Sequence, residues 1–181
     1  MPPTDIGSER NLSLLIPEKM KNTVYEYSAG LLTEEGIRGV IFDIDNTLVP
    51  YEKAEPDEEL LDYFRSLGDC GIGITLVSNN TRERVEIFNK KTHFFAAPNA
   101  HKPRGKHIRE CIKALGTEKS GTVLIGDQIF TDCLAAHLVG IRCFTVKPIA
   151  KKETAFFKFK RFFEKPFIRA YKRRERIRER K

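Results

Sequence analysis

The sequence predicts an α/β protein in which a parallel sheet lies between two layers of helices. Two observations predict it. Short apolar, β-branched runs alternate with segments of helical spacing, and those runs are too short for helices yet apolar on both faces. Strands separated by helical crossovers pair in parallel.

Taken in order, Leu12 to Tyr27 has helical spacing interrupted by Pro17, and Thr33 to Gly36 supplies turn and cap residues. The period then changes: Gly39 to Asp43 reads as a strand covered on both faces. A turn through Asn46 and Pro50 leads to a helix opening at Pro56-Asp57, with Leu60, Leu61, Phe64 and Leu67 on one side. Next come a strand from Ile72 to Ser78, a helix from Thr81 to Lys90 and a short strand from Phe94 to Ala96. A helix from Lys106 to Leu115, a strand from Gly121 to Gly126, a helix from Asp132 to Val139 and a strand from Cys143 to Val146 complete the series. This is a Rossmann-like three-layer α/β/α pattern. It divides the chain into a partly helical N-terminal segment (1–36), the α/β body (37–150) and a C-terminal tail (151–181).

With 181 residues, 40% of them hydrophobic, the chain can bury one sizeable core. Charged residues interrupt every apolar run, which excludes a membrane-spanning helix, and Met1 to Arg10 lack the pattern of a secretory signal, so a cytoplasmic protein is expected. Cys70, Cys111, Cys133 and Cys143 form no CxxC pair and read as ordinary thiols. The net charge of +7 is unevenly spread. Lys151 to Lys181 hold 14 Lys and Arg against 4 Glu, a net +10, so the preceding 150 residues carry −3. A mildly acidic body bears a strongly basic end.

Ligands of open parallel sheets gather beyond the carboxyl ends of the strands. Four such ends carry polar residues: Asp43-Ile44-Asp45-Asn46-Thr47, Ser78-Asn79-Asn80, His101-Lys102-Pro103, and Gly126-Asp127 followed by Asp132. Each alone also suits a capped turn or a solvated charge. Together they offer a carboxylate nucleophile, a second carboxyl for proton transfer, donors for phosphate oxygens and acidic ligands for a hard cation.

The runs DIDNT, VSNN, HKP and GDQIFTD, in this order and setting, resemble the four motifs of the haloacid dehalogenase superfamily of phosphatases. FDIDNTLV, VSNN, KPxGK and GDQxxTD with these spacings resemble its YqeG-like subfamily, which includes phosphatidylglycerophosphate phosphatases. The resemblance covers about residues 37 to 148. It implies that Asp43 is the nucleophile, Asp45 the general acid and base, and Lys102 a catalytic cation. Thr47, Ser78, Asn79 and Lys102 would hold the phosphate. Asp43, the Asp45 main-chain carbonyl, Asp127 and Asp132 would hold Mg2+, which prefers oxygen ligands.

Members of that superfamily often carry a cap domain. The segments Val49 to Gly71 and Asn80 to Ala100 are too short for a large one, so an open site accepting a phosphate on a bulky partner is expected. In the tail, Ala155, Phe156, Phe159, Phe162 and Phe163 share a helical face, with Lys158, Lys160 and Arg161 elsewhere. That composition suits a helix lying in a membrane interface, which Lys172 to Lys181 would assist electrostatically. The expected partner is therefore an anionic membrane bearing a lipid phosphate monoester, with peripheral membrane association. Two alternatives stay open: a helix packed on the body, and a nucleic-acid-binding arm serving a polynucleotide or protein phosphatase. Because every candidate catalytic residue precedes the tail, the sequence assigns the tail no part in the chemistry.

Overall fold

A computed structural model describes residues 13–149 and 155–178, with the side chains of residues 13–149 and 163–178. Six parallel strands form one sheet in the order β1-β6-β5-β2-β3-β4: β1 (Lys19–Lys21), β2 (Gly39–Phe42), β3 (Gly73–Val77), β4 (Phe95–Ala97), β5 (Thr122–Gly126) and β6 (Arg142–Val146). The helices are α1 (Ala29–Glu34), α2 (Glu58–Asp69), α3 (Arg82–Asn89), α4 (Lys106–Leu115), α5 (Leu134–Val139) and α6 (Ala155–Arg178). Their caps follow local chemistry. The side chains of Asp57 and Thr81 accept from the Leu60 and Arg84 amides, and Gly116 and Gly140 end α4 and α5 at φ +66° and +83°.

The pleat sends alternate residues to opposite faces. Val40, Phe42, Val123 and Ile125 join one apolar cluster with Leu60, Phe64 and Phe144, whereas Ile41 and Leu124 join a second with Ile108, Cys111 and Ala136. Being buried on both faces is what makes β2 and β5 read as continuous apolar runs. All four cysteines are free thiols.

The reading of Leu12 to Tyr27 as helical is corrected. Over the described part of that stretch only Ser13 is α-helical; the chain turns at Leu14 to Ile16, enters the edge strand β1, and makes a 3-10 turn at Val24–Glu26. Pro17 disfavours a helix interior because it removes an amide donor, and the Glu18 amide instead donates to the Cys143 carbonyl, continuing the pairing of β1 with β6.

The tail is in part docked. Glu164 is 3% exposed, Phe167 meets Phe130 edge to face at 5.6 Å, Ile168 packs against the second cluster, and the Tyr171 hydroxyl accepts from the Met20 amide at 3.2 Å. Further along, Arg174 and Arg178 line a cavity of about 630 Å³ with Gly140 and Arg142, where β6 begins. Thus α6 runs antiparallel to the strands, from the edge where they end to the edge where they begin. The side chains of residues 155–162, including the Phe-rich face read from the sequence, lie outside the described residues. Among the described residues, no helix is long and apolar enough to cross a membrane.

Candidate active site

The sheet order places the C-terminal ends of β5, β2, β3 and β4 side by side, and each leads directly into one of the polar runs. The Asp43 amide donates to the Ile125 carbonyl at 3.0 Å, extending the β2–β5 pairing by one residue. The Ser78 amide donates to Ala97 at 3.0 Å in the same way. Residues far apart in sequence thereby meet at one edge.

The floor of the site is ionic. Lys102 Nζ lies 2.6 Å from Asp43 Oδ1 and 2.6 Å from Asp132 Oδ1, and all three side chains are buried. Thr47 Oγ1 donates to Asp43 Oδ2 at 3.0 Å. Burial pushes the Asp43 carboxyl up, to about 7; Lys102 opposes the shift while Asp132 and Asp45 add to it. For Lys102, burial alone would lower the ammonium, but Asp132 and Asp43 outweigh it, so the lysine stays charged.

Gly126 is required by this packing. A Cβ built there would sit 2.4 Å from Asp132 Oδ2, so only glycine lets the carboxylate fold back over the strand end. Asp132 Oδ2 also accepts from the Gln128 amide at 3.0 Å, and Asp132 itself lies in a wide π-type turn, Ile129–Cys133. The helix read as beginning at Asp132 starts instead at Leu134, after this turn.

Asp45 is held separately. Arg84 Nη2 donates to Asp45 Oδ1 at 2.9 Å and to the Lys53 carbonyl at 2.8 Å, and Asn80 Nδ2 donates to Asp45 Oδ2 at 3.2 Å. Asn46, at φ +64°, turns the chain immediately afterwards. Ser78 Oγ stands 3.5 Å from Asp45 Oδ2 and accepts from the Asn80 amide at 3.0 Å. Asn79 Oδ1 accepts from the Lys102 amide at 2.7 Å, so its side chain fixes the loop that presents the lysine.

A cavity of about 270 Å³ opens over these groups, lined by Asp43, Asp45, Ser78, Asn79 and Lys102 together with Asn46, Tyr51, Asn80, Gln128 and Thr131. Thr47, Asp127 and Asp132 are buried and stand outside that lining. Asp43, Asp127 and Asp132 each offer a carboxylate oxygen, and these three oxygens lie within 4.8 Å of one another. An all-oxygen, triply acidic and buried set fits Mg2+. Sequence reasoning missed Arg84, because an arginine in a first helical turn reads as a solvated group; it put Asn80 at the site within the Ser78-Asn79-Asn80 strand end without giving it a role. The spacing of Arg84 from the capping Thr81 was the available signal.

Residues 50–146 match the family of haloacid dehalogenase-like hydrolases; the DIDNT run stands just ahead of that span. The chain is also 30% identical over 162 residues to "Probable phosphatase YqeG" of Bacillus subtilis (strain 168), covering 90% of this chain and 94% of that protein. Two solved structures share the fold at 16% identity and a TM-score of 0.51. One is an uncharacterized Listeria monocytogenes serotype 4b protein, covering 65% of this chain and 85% of its own. The other is a hypothetical Xanthomonas campestris protein, covering 68% and 72%. The sheet order, the four polar strand ends and these similarities lead to one conclusion: the chain belongs to the haloacid dehalogenase-like hydrolases.

Proposed function

We propose that the protein is a Mg2+-dependent phosphomonoester hydrolase that works through an aspartyl phosphate on Asp43, with a lipid-borne phosphate such as phosphatidylglycerophosphate as its substrate. The observation that carries the reading is the buried Asp43–Lys102–Asp132 cluster, with Asp127 beside it, under an open cavity at the strand ends.

Asp43 attacks phosphorus as the bond to the alcohol oxygen breaks, and Asp45 protonates that leaving oxygen. Asp45 then takes a proton from a water that attacks the aspartyl phosphate, freeing phosphate and restoring Asp43. Thr47, Ser78 and Asn79 orient the transferring group, and Lys102 offsets charge shared between it and the nucleophile. Asp43, the Asp45 carbonyl, Asp127 and Asp132 would hold Mg2+, which supplies charge neutralisation and polarises a phosphoryl oxygen.

The lipid part rests on accessibility and on the tail. Only α2 separates β2 from β3, and only α3 separates β3 from β4, so no large cap covers the cavity among the described residues. Phe163, next to the Glu164 that reaches the catalytic edge, is 49% exposed. Phenylalanines and cations at that edge would direct the open site toward an anionic bilayer.

The test is phosphate release from vesicles containing phosphatidylglycerophosphate, run beside phosphopeptides, nucleotides, 5′-phosphorylated RNA and sugar phosphates. Wild type should release phosphate from the vesicles fastest, EDTA should abolish release, and Mg2+ should restore it. Folded Asp43→Asn should retain under about a tenth of the activity. More than that would sink the covalent mechanism, full activity in chelator the metal, and preference for RNA or phosphopeptide the lipid assignment.

A further inference from the structure

Helix α6 reaches back into the catalytic edge through a single acidic residue, Glu164, in a stretch whose other charges are basic. Glu164 Oε1 accepts the Ile129 amide at 2.9 Å. Ile129 opens the wide turn that carries Asp132 and follows Asp127 by two residues. Two successive amides of this loop point to carboxylates: Gln128 to Asp132, within the loop, and Ile129 to Glu164, from outside it. The first amides of a helical turn have no partner within it, and a buried one left unsatisfied is costly. Beside this contact, Phe167 covers Phe130 and Ile168 completes the apolar cluster under α5.

We infer that Glu164 is a positioning residue for the cation-binding loop, so that the docked half of α6 is part of the catalytic apparatus. The inference rests on the Mg2+ reading above for its consequence and on geometry for its cause. A buried carboxylate on α6 fixes the Ile129 amide, the amide fixes the turn, and the turn aims Asp127 and Asp132 at Asp43. Partners outside a metal's own ligands typically alter affinity 10- to 100-fold when removed. Glu164 acts through the Ile129 amide, as a positioning group rather than a catalytic one.

The experiment uses the full chain and three variants. Glu164→Gln keeps an oxygen acceptor, Glu164→Ala removes it, and Phe167→Ala loosens α6 while leaving the carboxylate in place. Amide exchange without added metal, followed by NMR, reads the loop directly; Mn2+ binding followed by electron paramagnetic resonance reads its consequence. Glu164→Ala should accelerate exchange of the Ile129 amide about tenfold or more, selectively over amides of β5, and weaken Mn2+ about tenfold. Glu164→Gln should stay within about threefold of wild type in both. Unchanged Ile129 exchange in Glu164→Ala overturns the proposal, and so does an acceleration that Phe167→Ala reproduces in full. A wild type that binds no Mn2+ overturns the Mg2+ reading instead, and the exchange comparison still decides the role of Glu164.

Discussion

Lys102 holds the floor of the site together by standing between two buried carboxylates, Asp43 and Asp132. Removing one partner of a buried ion pair leaves uncompensated charge, at a cost of about 3–5 kcal/mol. Lys102→Met, nearly equal in volume, should therefore unfold at lower urea in chelator, by an amount in that range, and lose phosphatase activity. A urea midpoint equal to wild type would mean that the lysine does not bridge the carboxylates. Most residues of this cluster were legible in the sequence because each follows a strand within one to six positions, where a parallel sheet exposes polar groups. Arg84 and Glu164 were not. Their contacts span 39 and 35 residues and depend on how helices are aimed, which local spacing does not encode.

At the scale of elements, strands with two buried faces announced themselves, whereas β1 did not. It has three half-buried residues at the sheet edge, too few for a period to show. Side chains tie its segment to the body instead. Glu18 Oε2 accepts the Cys143 amide at 2.8 Å, and His137 Nε2 approaches Glu18 Oε1 at 3.1 Å while His137 Nδ1 donates to the Leu14 carbonyl at 2.7 Å. Burial lowers the histidine, but Cys133 and Glu18 outweigh it and raise it to about 10; burial raises Glu18, but His137 and the Cys143 amide bring it below its ordinary value. A raised histidine stabilises the fold fully below its unfolded pKa, about 6.5, and that stability fades as pH climbs toward 10. A depressed glutamate contributes above about 4.5 and loses its contribution as pH falls further. The stability deficit of His137→Gln, followed by urea melts against pH, should thus be widest near pH 5 to 6.5 and shrink by pH 10. A deficit constant across that range would show that the pair is not ionic.

At the scale of the whole molecule, α6 joins two demands that the sequence alone kept apart. Its basic and phenylalanine-rich composition suggested an appendage, and a buried glutamate among cations gave no hint that the second half of the helix is docked on the body. The docked half supplies the Ile129 acceptor at the catalytic edge, so the tail cannot be removed without touching the chemistry. Deleting residues 151–181 should accordingly slow hydrolysis of a small soluble phosphate about tenfold or more at limiting Mg2+, in addition to abolishing vesicle binding. Changing Phe156, Phe159, Phe162 and Phe163 together to Ser leaves Glu164, Phe167 and Ile168 in place. That variant should keep soluble turnover and lose the vesicle binding that persists at high salt, since salt screens the cations and leaves apolar insertion intact. The two variants read different halves of one helix. Soluble turnover that survives the deletion would refute the docked half's part in catalysis, and vesicle binding that survives the four serines would refute the phenylalanine face as the membrane contact.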